Sequence, residues 1–392
     1  MHVSPWRKRV PLWAALAVAV VGLMAMSDVP AAHAATLSVC ASGCPYTTIQ
    51  NAIDAAQTGD TISIAPGTYT ENLTIGGSAT QLRLQKGLGG GFFAGFPGIP
   101  NFPAIPWFPN PGGEVIIDGG GAGRVLTVDS GRTVDLIDLT LRNGVQPLGG
   151  GINNGGTLRL TRVTVTDNES GDFAGGIENT GTLEARDSEI SGNRARHGAG
   201  ISNQGAMTLT NVVVRDNMST GVGGGGIYSS NNLTLRNVQV RGNQTTGLGG
   251  GIFADAGSLT GTAVEVSGNT AGGRGGGIGT SGIVTLTLTN SFIRNNTANT
   301  SSSTFGGGGI YHGSSVPMTL TNTILTGNTG IQGGGLYMAA GRTATLRNGL
   351  VSRNTATDIG GGVFAEAGAT LNRTATLIAG NTPNNCAGAV SC

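Results

Sequence analysis

The chain has 392 residues, of which 71 are glycine and only 11% are charged. Glycine at about 18% far exceeds the usual ~7%. The three-residue period of collagen is absent, and the charge is too low for a charge-driven disordered chain. The net charge of +1 gives no electrostatic basis for a nucleic-acid partner. The glycine must therefore serve a folded structure.

The first 34 residues have the pattern of a secretory signal peptide. Basic residues at positions 7–9 precede the apolar run Val10–Met26, and a small-residue Ala-His-Ala cleavage site ends at Ala34. An uncleaved membrane anchor is the alternative, although the run is short for a span. Cleavage after residue 34 leaves 19 basic and 20 acidic side chains. We therefore expect a secreted or cell-surface protein with no membrane span and no nucleic-acid partner.

A glycine-rich run followed by an aliphatic anchor recurs nine times, at spacings of 24 to 32 residues. A repeat of this length is typical of a solenoid, in which coils stack because one coil cannot bury its own inner face. The 32-residue spacing is explained by an insertion around residues 301–305. The anchors are Ile152, Ile177, Ile201, Ile227, Ile252, Ile278, Ile310, Leu336 and Val363.

Asparagine recurs with the same period. The alternation of apolar residues with threonine between the markers predicts about three short strands per coil and no helix. The asparagines should take the left-handed conformation at turns and form a hydrogen-bonded ladder along the stack. Asn143 is a tenth candidate, one residue out of register. The nine are Asn168, Asn193, Asn217, Asn243, Asn269, Asn296, Asn328, Asn354 and Asn381.

The N-terminal segment 35–80 is predicted to cap the solenoid and to contain its first strands. Thr47-Thr48-Ile49-Gln50 has capping-box spacing, and the apolar residues that follow mark one face of a short helix that ends near Gly59. Such a helix would shield the open end of the first coil. The coils are predicted over 81–385.

Two sequence segments resemble known parallel β-helix proteins. Residues 46–62 and the Ala-Pro-Gly-Thr-Tyr of 65–69 resemble the opening of pectin-lyase-like proteins. The later coils are similar to the repeats of polymorphic outer-membrane proteins, with Phe292-Ile293-Arg294-Asn295 matching their Phe-x-x-Asn motif. The resemblance covers roughly 45–385 and implies an all-β, single-stranded right-handed parallel β-helix. It implies no single activity, because this fold hosts lyases, hydrolases, esterases and adhesins.

The four cysteines lie at the two ends of the chain. Roughly twelve coils spaced ~4.8 Å apart make a rod of roughly 60 Å. Since a disulfide requires Cα atoms within about 7 Å, we predict the bridges Cys40–Cys44 and Cys386–Cys392. The second bridge would form a C-terminal clip over 386–392.

No catalytic motif is found, so no catalytic residue, metal site or cofactor is predicted. Acidic residues are concentrated in the early coils, where Asp135, Asp138, Asp167 and Asp187 are weak catalytic candidates. Calcium would be needed only if the protein were a pectate-lyase-like enzyme. The competing interpretation is that opposite charges one coil apart form ion pairs, as Arg159 with Glu184 and Arg162 with Asp187.

A column of aromatic residues follows the later anchors and is predicted to point outward. Exposed rings in a row could stack on sugars or on a protein partner, whereas the alternative is stacking of the rings on one another. These candidate ligand-binding residues are Tyr228, Phe253, Tyr311, Tyr337 and Phe364.

One long insertion, 87–113, contains six prolines and several aromatic residues. It cannot be a central strand, and we expect it to dock on the rod.

Together these features predict a monomeric, non-catalytic extracellular or cell-surface protein that binds or adheres to polysaccharide or another surface component. A polysaccharide lyase or glycoside hydrolase with an acidic site on the early coils is the alternative.

Overall fold

A computed structural model describes residues 34–87, 113–299 and 306–392. The signal peptide, nearly all of the 87–113 insertion and the insertion around 301–305 lie outside the described residues. The described chain is a parallel β-solenoid with three long sheets, and its single described helix is short. This confirms the predicted all-β fold class and agrees with a right-handed parallel β-helix.

Sheet A contains most of the strands, because each typical coil supplies a glycine-anchored strand and a second strand that follows a tight bend. Two such pairs merge into the long strands Ile252–Thr262 and Ile278–Thr289. The 23 strands in the described residues are Thr36–Val39, Thr61–Ile64, Leu73–Ile75, Gln81–Lys86, Leu126–Val128, Thr133–Ile137, Ile152–Asn154, Thr157–Thr161, Ile177–Asn179, Thr182–Arg186, Ile201–Asn203, Ala206–Thr210, Ile227–Ser229, Leu233–Arg236, Ile252–Thr262, Ile278–Thr289, Ile310–His312, Met318–Thr321, Leu336–Met338, Thr343–Arg347, Val363–Ala365, Thr370–Thr374 and Cys386–Gly388.

Sheets B and C each take one strand from a coil. In the described part of the chain, sheet B consists of Gly67–Thr70, Val115–Asp118, Thr140–Arg142, Thr164–Thr166, Glu189–Ser191, Val213–Arg215, Gln239–Arg241, Glu265–Ser267, Phe292–Arg294, Ile324–Thr326, Leu350–Ser352 and Leu377–Ala379. Sheet C consists of Val145–Leu148, Glu169–Phe173, Arg194–Ala195, Met218–Ser219, Gln244–Thr245, Thr270–Ala271, Thr297–Ala298, Thr329–Gln332 and Thr355–Ile359.

The core fills the inside of the coils because alternate residues of every strand point inward. In one coil, Ile177, Leu183, Ala185 and Ile190 are at most 1% exposed. The anchors pair in parallel along the stack, as Ile152 with Ile177 and Ile177 with Ile201. Identical positions therefore form columns that run along the solenoid.

The predicted asparagine column forms a continuous buried ladder. The backbone N–H of Asn243 donates to Asn269 Oδ1 at 2.9 Å, and Asn243 Nδ2 donates to the same oxygen at 3.0 Å. Asn243 Nδ2 also donates to the carbonyl of Val214, in the preceding coil, at 3.0 Å. At the C-terminal end, Asn385 Oδ1 accepts both donors of Asn381. Each asparagine thus links its own coil to both neighbours.

The predicted conformation of the ladder residues is wrong. None of the nine asparagines has a positive φ; the left-handed residue is the one before, such as Asp167 (φ 54°) or Gly192 (φ 65°). The preceding residue makes the turn, and the asparagine side chain can then point into the core. Asn143 occupies this preceding position (φ 54°). It is not a ladder member, and the ladder begins where Asn168 Oδ1 accepts the N–H of Gly144.

The N-terminal helix spans Ile49–Ala55 and buries Ile49, Ala52 and Ile53, as the apolar pattern predicts. Its N-cap is Thr48, whose hydroxyl accepts the N–H of Asn51, so the predicted capping box is one residue out of register. Glu71 supplies the remaining cap by accepting the N–H groups of residues 49 and 50. No helix in the described part of the chain is long and apolar enough to cross a membrane.

Both predicted disulfides are confirmed. Cys40 is bonded to Cys44 and Cys386 to Cys392, each with a Cα–Cα distance of 5.6 Å. Tyr46 pairs with Val39 in an isolated parallel bridge beside the Cys40–Cys44 disulfide. The residues of the C-terminal clip include a strand that pairs with Val363–Ala365.

Replacement of a central ladder residue should destabilise the solenoid strongly. Asn269→Leu removes the oxygen that accepts the buried backbone N–H of Asn243 and one hydrogen bond of Asn243 Nδ2, and it removes the amide donor to the carbonyl of Val240. Because each buried unsatisfied group costs about 1–3 kcal/mol, we expect the free energy of unfolding, measured by urea denaturation, to fall by roughly 3 kcal/mol or more. Asn372→Leu, at an exposed strand position, is the matched control. Equal stability of the two variants would contradict a structural role for the ladder.

Candidate functional site

The first candidate surface is the outer side of the glycine-anchored strands, where the predicted aromatic column lies. The chain enters each of these strands through a glycine-rich turn. The backbone of this turn lies directly against the outward side chains of the next coil. A Cβ at Gly223 would lie 2.5 Å from Cδ1 of Phe253, one coil further on, and a Cβ at Gly149 would lie 3.1 Å from Cβ of Glu178. Glycine is required here because outward side chains pack against the turn backbone.

The aromatic rings of this column are mostly covered. Phe253, Tyr311 and Tyr337 are 6%, 8% and 0% exposed, and Tyr228 and Phe364 are partly exposed. Ring centroids lie 5.4 Å apart between Tyr311 and Tyr337 and 5.2 Å apart between Tyr337 and Phe364. The expectation of an exposed row is therefore wrong for the three buried residues. The rings of the column stack on one another, and three of the five are too covered to form a platform for a sugar.

The hydroxyl groups of these tyrosines also have protein partners. Tyr228 donates to Asp255 Oδ2 at 2.7 Å, and Tyr337 donates to Glu366. Arg274 donates to the Tyr311 hydroxyl at 2.9 Å and lies over its ring. Burial, aided by the adjacent carboxylates, raises the pKa of Tyr228 and of Tyr337. Satisfied polar ends and stacked rings indicate a structural role for the column.

The acidic candidates of the early coils are held in stacked charge pairs. Asp135 lies between Arg83, at 3.4 Å, and Arg159, at 3.6 Å. Arg159 also contacts Glu184 at 3.4 Å, as its spacing of one coil predicts. These side chains form a column of alternating charge on the outer side of sheet A, with Asp135 in the middle.

The predicted pair between Arg162 and Asp187 is wrong. Arg162 makes a bidentate contact with Asp138 in the preceding coil, at 2.6 and 2.8 Å, and this contact holds the pKa of Asp138 below its usual value. Asp187 instead accepts a hydrogen bond from Asn211 at 2.9 Å. Asp167 occupies a left-handed turn position. The four acids thus lie in separate contacts, and no group of three or more His, Cys, Asp or Glu within the described residues could hold a metal ion.

Sequence analysis missed Glu178, which is 4% exposed. Its Oε1 accepts a hydrogen bond from Gln204 Nε2 at 2.7 Å, whereas its Oε2 has no hydrogen-bond partner. Burial raises the pKa of Glu178 to about 7, with a smaller contribution from the charge of Asp172. The Ser202 hydroxyl is near enough to oppose this shift but lies outside good hydrogen-bond geometry. One sequence signal could have identified Glu178. It directly follows the anchor Ile177, just as Tyr228 directly follows the anchor Ile227 two coils later.

The second missed feature is an exposed apolar column on sheet B, which we call the sheet B strip: Phe292, Ile324, Leu350 and Leu377. These four residues pair in register on successive coils. Phe292 is 47% exposed and Leu377 is 60% exposed, and the middle two are partly exposed. Each lies four positions before a ladder asparagine, which is the sequence signal that could have identified the strip.

A shallow depression runs along the first three residues of the strip, Phe292, Ile324 and Leu350, and has a polar rim. Arg294 and Glu265 form an ion pair at 2.7 Å at one end, and Arg353 lies near the other. Thr326 and Ser352 line the depression between them. A shallow apolar depression with hydroxyl and guanidinium groups beside it can hold an extended polar molecule.

Comparison of the chain with protein-family models, with curated proteins and with solved structures found no match. The functional argument therefore depends on the side chains described above.

Glu178 should make stability depend on pH. Because its pKa rises from 4.5 to about 7 on folding, the folded state binds this proton more tightly than the unfolded state. The contribution is complete below pH 4.5 and is lost as the pH rises through 7. Thermal unfolding between pH 4 and 9 should show this loss in the wild type and not in Glu178→Gln. Glu184→Gln, at a more exposed carboxyl, should keep the wild-type slope; an unchanged slope in Glu178→Gln would contradict the assignment.

Proposed function

We propose that this chain is a secreted, non-catalytic β-helix that binds a polysaccharide outside the cell, through the sheet B strip. The observation that carries the proposal is the exposed column from Phe292 to Leu377. The proposal replaces the aromatic column as the ligand surface, because three of those five rings are buried.

The dimensions of the strip favour a narrow, linear ligand. The strip is one residue wide, and three steps between coils of ~4.8 Å give a length of roughly 15 Å. A stable protein interface needs roughly 800 Å² from each partner, which is far more than this strip can provide. A single polysaccharide chain lying along the column fits the available surface.

The chemistry of the strip suits sugars of low charge. The ring of Phe292 offers a face for an apolar sugar surface, and the hydroxyls of Thr326 and Ser352 can donate or accept hydrogen bonds. The charge of Arg294 is balanced by Glu265. The outer side of sheet B in the last three coils has no acidic residue at its strand positions, which are Ile324, Thr326, Leu350, Ser352, Leu377 and Ala379.

The proposed extracellular location is supported by the two disulfides, since such bonds persist in oxidising compartments. It also depends on the signal peptide that the sequence predicts.

A second candidate function is cleavage of a polysaccharide on the early coils, and the observation that favours it is Glu178. A carboxyl with its pKa raised to about 7 can act as a general acid. Its 4% exposure leaves little access to a substrate. Release of reducing ends, or a rise in ultraviolet absorbance, on incubation with polysaccharides would support cleavage if Glu178→Gln abolished it.

Removal of the Phe292 ring should weaken polysaccharide binding. We expect Phe292→Ala to lower affinity about tenfold, a loss of roughly 1.4 kcal/mol, in a quantitative glycan array and by titration calorimetry on the best ligand. Val222→Ala is the control, since Val222 is 59% exposed and lies on a loop away from sheet B. Failure of the wild type to bind any glycan, or equal binding by Phe292→Ala, would refute the proposal.

A further inference from the structure

The outer side of the second strands of sheet A changes character along the solenoid. In the early coils the outward middle position is charged, as in Arg159 and Glu184, which pair in register. From residue 208 onward the same position is threonine in six successive coils. Their in-register pairs continue without interruption through Thr208, Thr234, Thr260, Thr287, Thr319 and Thr345.

A second column lies beside the first, two residues further along each strand. It contains four threonines and is interrupted by Arg236 and Arg347. We call the two columns together the threonine face. The threonines of the second column are Thr210, Thr262, Thr289 and Thr321.

These side chains point to solvent because the residues between them point inward. Leu209, Leu288 and Leu320, which separate the two columns, are at most 1% exposed. Thr260 and Thr262 are exposed, and the other threonines of the face are partly exposed. In the part of the chain that the structure describes, none of their hydroxyls is hydrogen-bonded to a protein group. The whole face is therefore available to an external partner.

The preference of threonine for strands explains a single column of threonines, but it does not explain two columns side by side. Threonine favours strands in general, and sheet C of the same coils also has a threonine column, in which Thr270, Thr297, Thr329 and Thr355 pair in register. Two residues further along each of these strands the residues are Gly272, Asn299, Ile331 and Thr357, so sheet C has no second threonine column beside the first. The corresponding column of sheet B has no threonine there. Its residues are Val213, Gln239, Glu265, Phe292, Ile324 and Leu350.

The face is also preorganised. Threonine is β-branched and has few χ1 rotamers, and parallel strands fix the spacing of the coils at ~4.8 Å. Each hydroxyl is both a donor and an acceptor, and each carries a methyl group beside it. The result is a two-dimensional array of hydroxyls and methyls whose repeat is set by the backbone. Such an array can hold water molecules at lattice positions, with little loss of side-chain entropy on binding.

We infer that the threonine face adsorbs to ice. The six threonines of the first column carry no charge, which gives no attraction for an ionic polymer. Both columns lack aromatic rings, which a sugar would need for stacking. Apart from Arg236 and Arg347 in the second column, the face is a lattice of small uncharged donors and acceptors. Crystalline water is a lattice of the same kind, so the two can match.

The test is retention in slowly grown polycrystalline ice, measured as the ratio of protein in the ice to protein in the remaining liquid. We expect the wild type to be enriched in ice relative to a freely excluded protein, and Thr287→Tyr to lower the ratio about tenfold. Tyrosine is favoured in strands, so the variant should fold, which circular dichroism and thermal unfolding would check. Thr164→Tyr, on sheet B, is the matched control and should retain the wild-type ratio.

Exclusion of the wild type from ice would overturn the inference, as would equal retention of Thr287→Tyr. Binding to microcrystalline cellulose that Thr287→Tyr abolishes, without retention in ice, would also overturn it and would assign the face to a crystalline polysaccharide. The two surfaces are separable, because Phe292→Ala should leave retention in ice unchanged. Failure of the strip and failure of the threonine face are thus distinguishable.

Discussion

The buried asparagine ladder is the constraint on which the rest of the solenoid depends. At Asn243, for example, the side-chain amide donates to a backbone carbonyl of the coil before and to the asparagine oxygen of the coil after. The backbone N–H of Asn243 donates to that same asparagine oxygen. A buried amide without these partners would be costly. The ladder therefore fixes the register of the strands. It also fixes which side chains point inward, since a slip of one residue would turn every side chain of a strand to the opposite face.

A fixed register turns the outside of the protein into columns of stacked side chains. Where neighbouring columns carry charge, they form pairs such as Arg159 with Glu184. Where they carry rings, the rings stack, as Tyr311 does on Tyr337. Columns whose side chains bind one another in this way stabilise the stack of coils and leave few groups free to bind a ligand. The sheet B strip and the threonine face differ from them because their side chains have few partners within the protein.

The two exposed surfaces both lie on the later part of the solenoid. The early coils carry most of the stacked charge, whereas the later coils carry the apolar strip on sheet B and the hydroxyl array on sheet A. Both surfaces use the same property of the fold, which is a column that repeats at the strand spacing. A regular, extended ligand or lattice is the kind of partner that such a repeat can match.

The sequence alone determined the solenoid, the asparagine column and both disulfides, because a repeat shows which residues share a column and the rod length excludes distant cysteine pairs. Only the tertiary structure decided which outward residues are covered. Phe253 and Glu178 are buried because glycine turns of the preceding coil lie against them, and periodicity contains no information on that path. It also decided that Arg162 reaches Asp138 instead of Asp187. Both acids are one coil away, so the spacing in the sequence contains no information that distinguishes them.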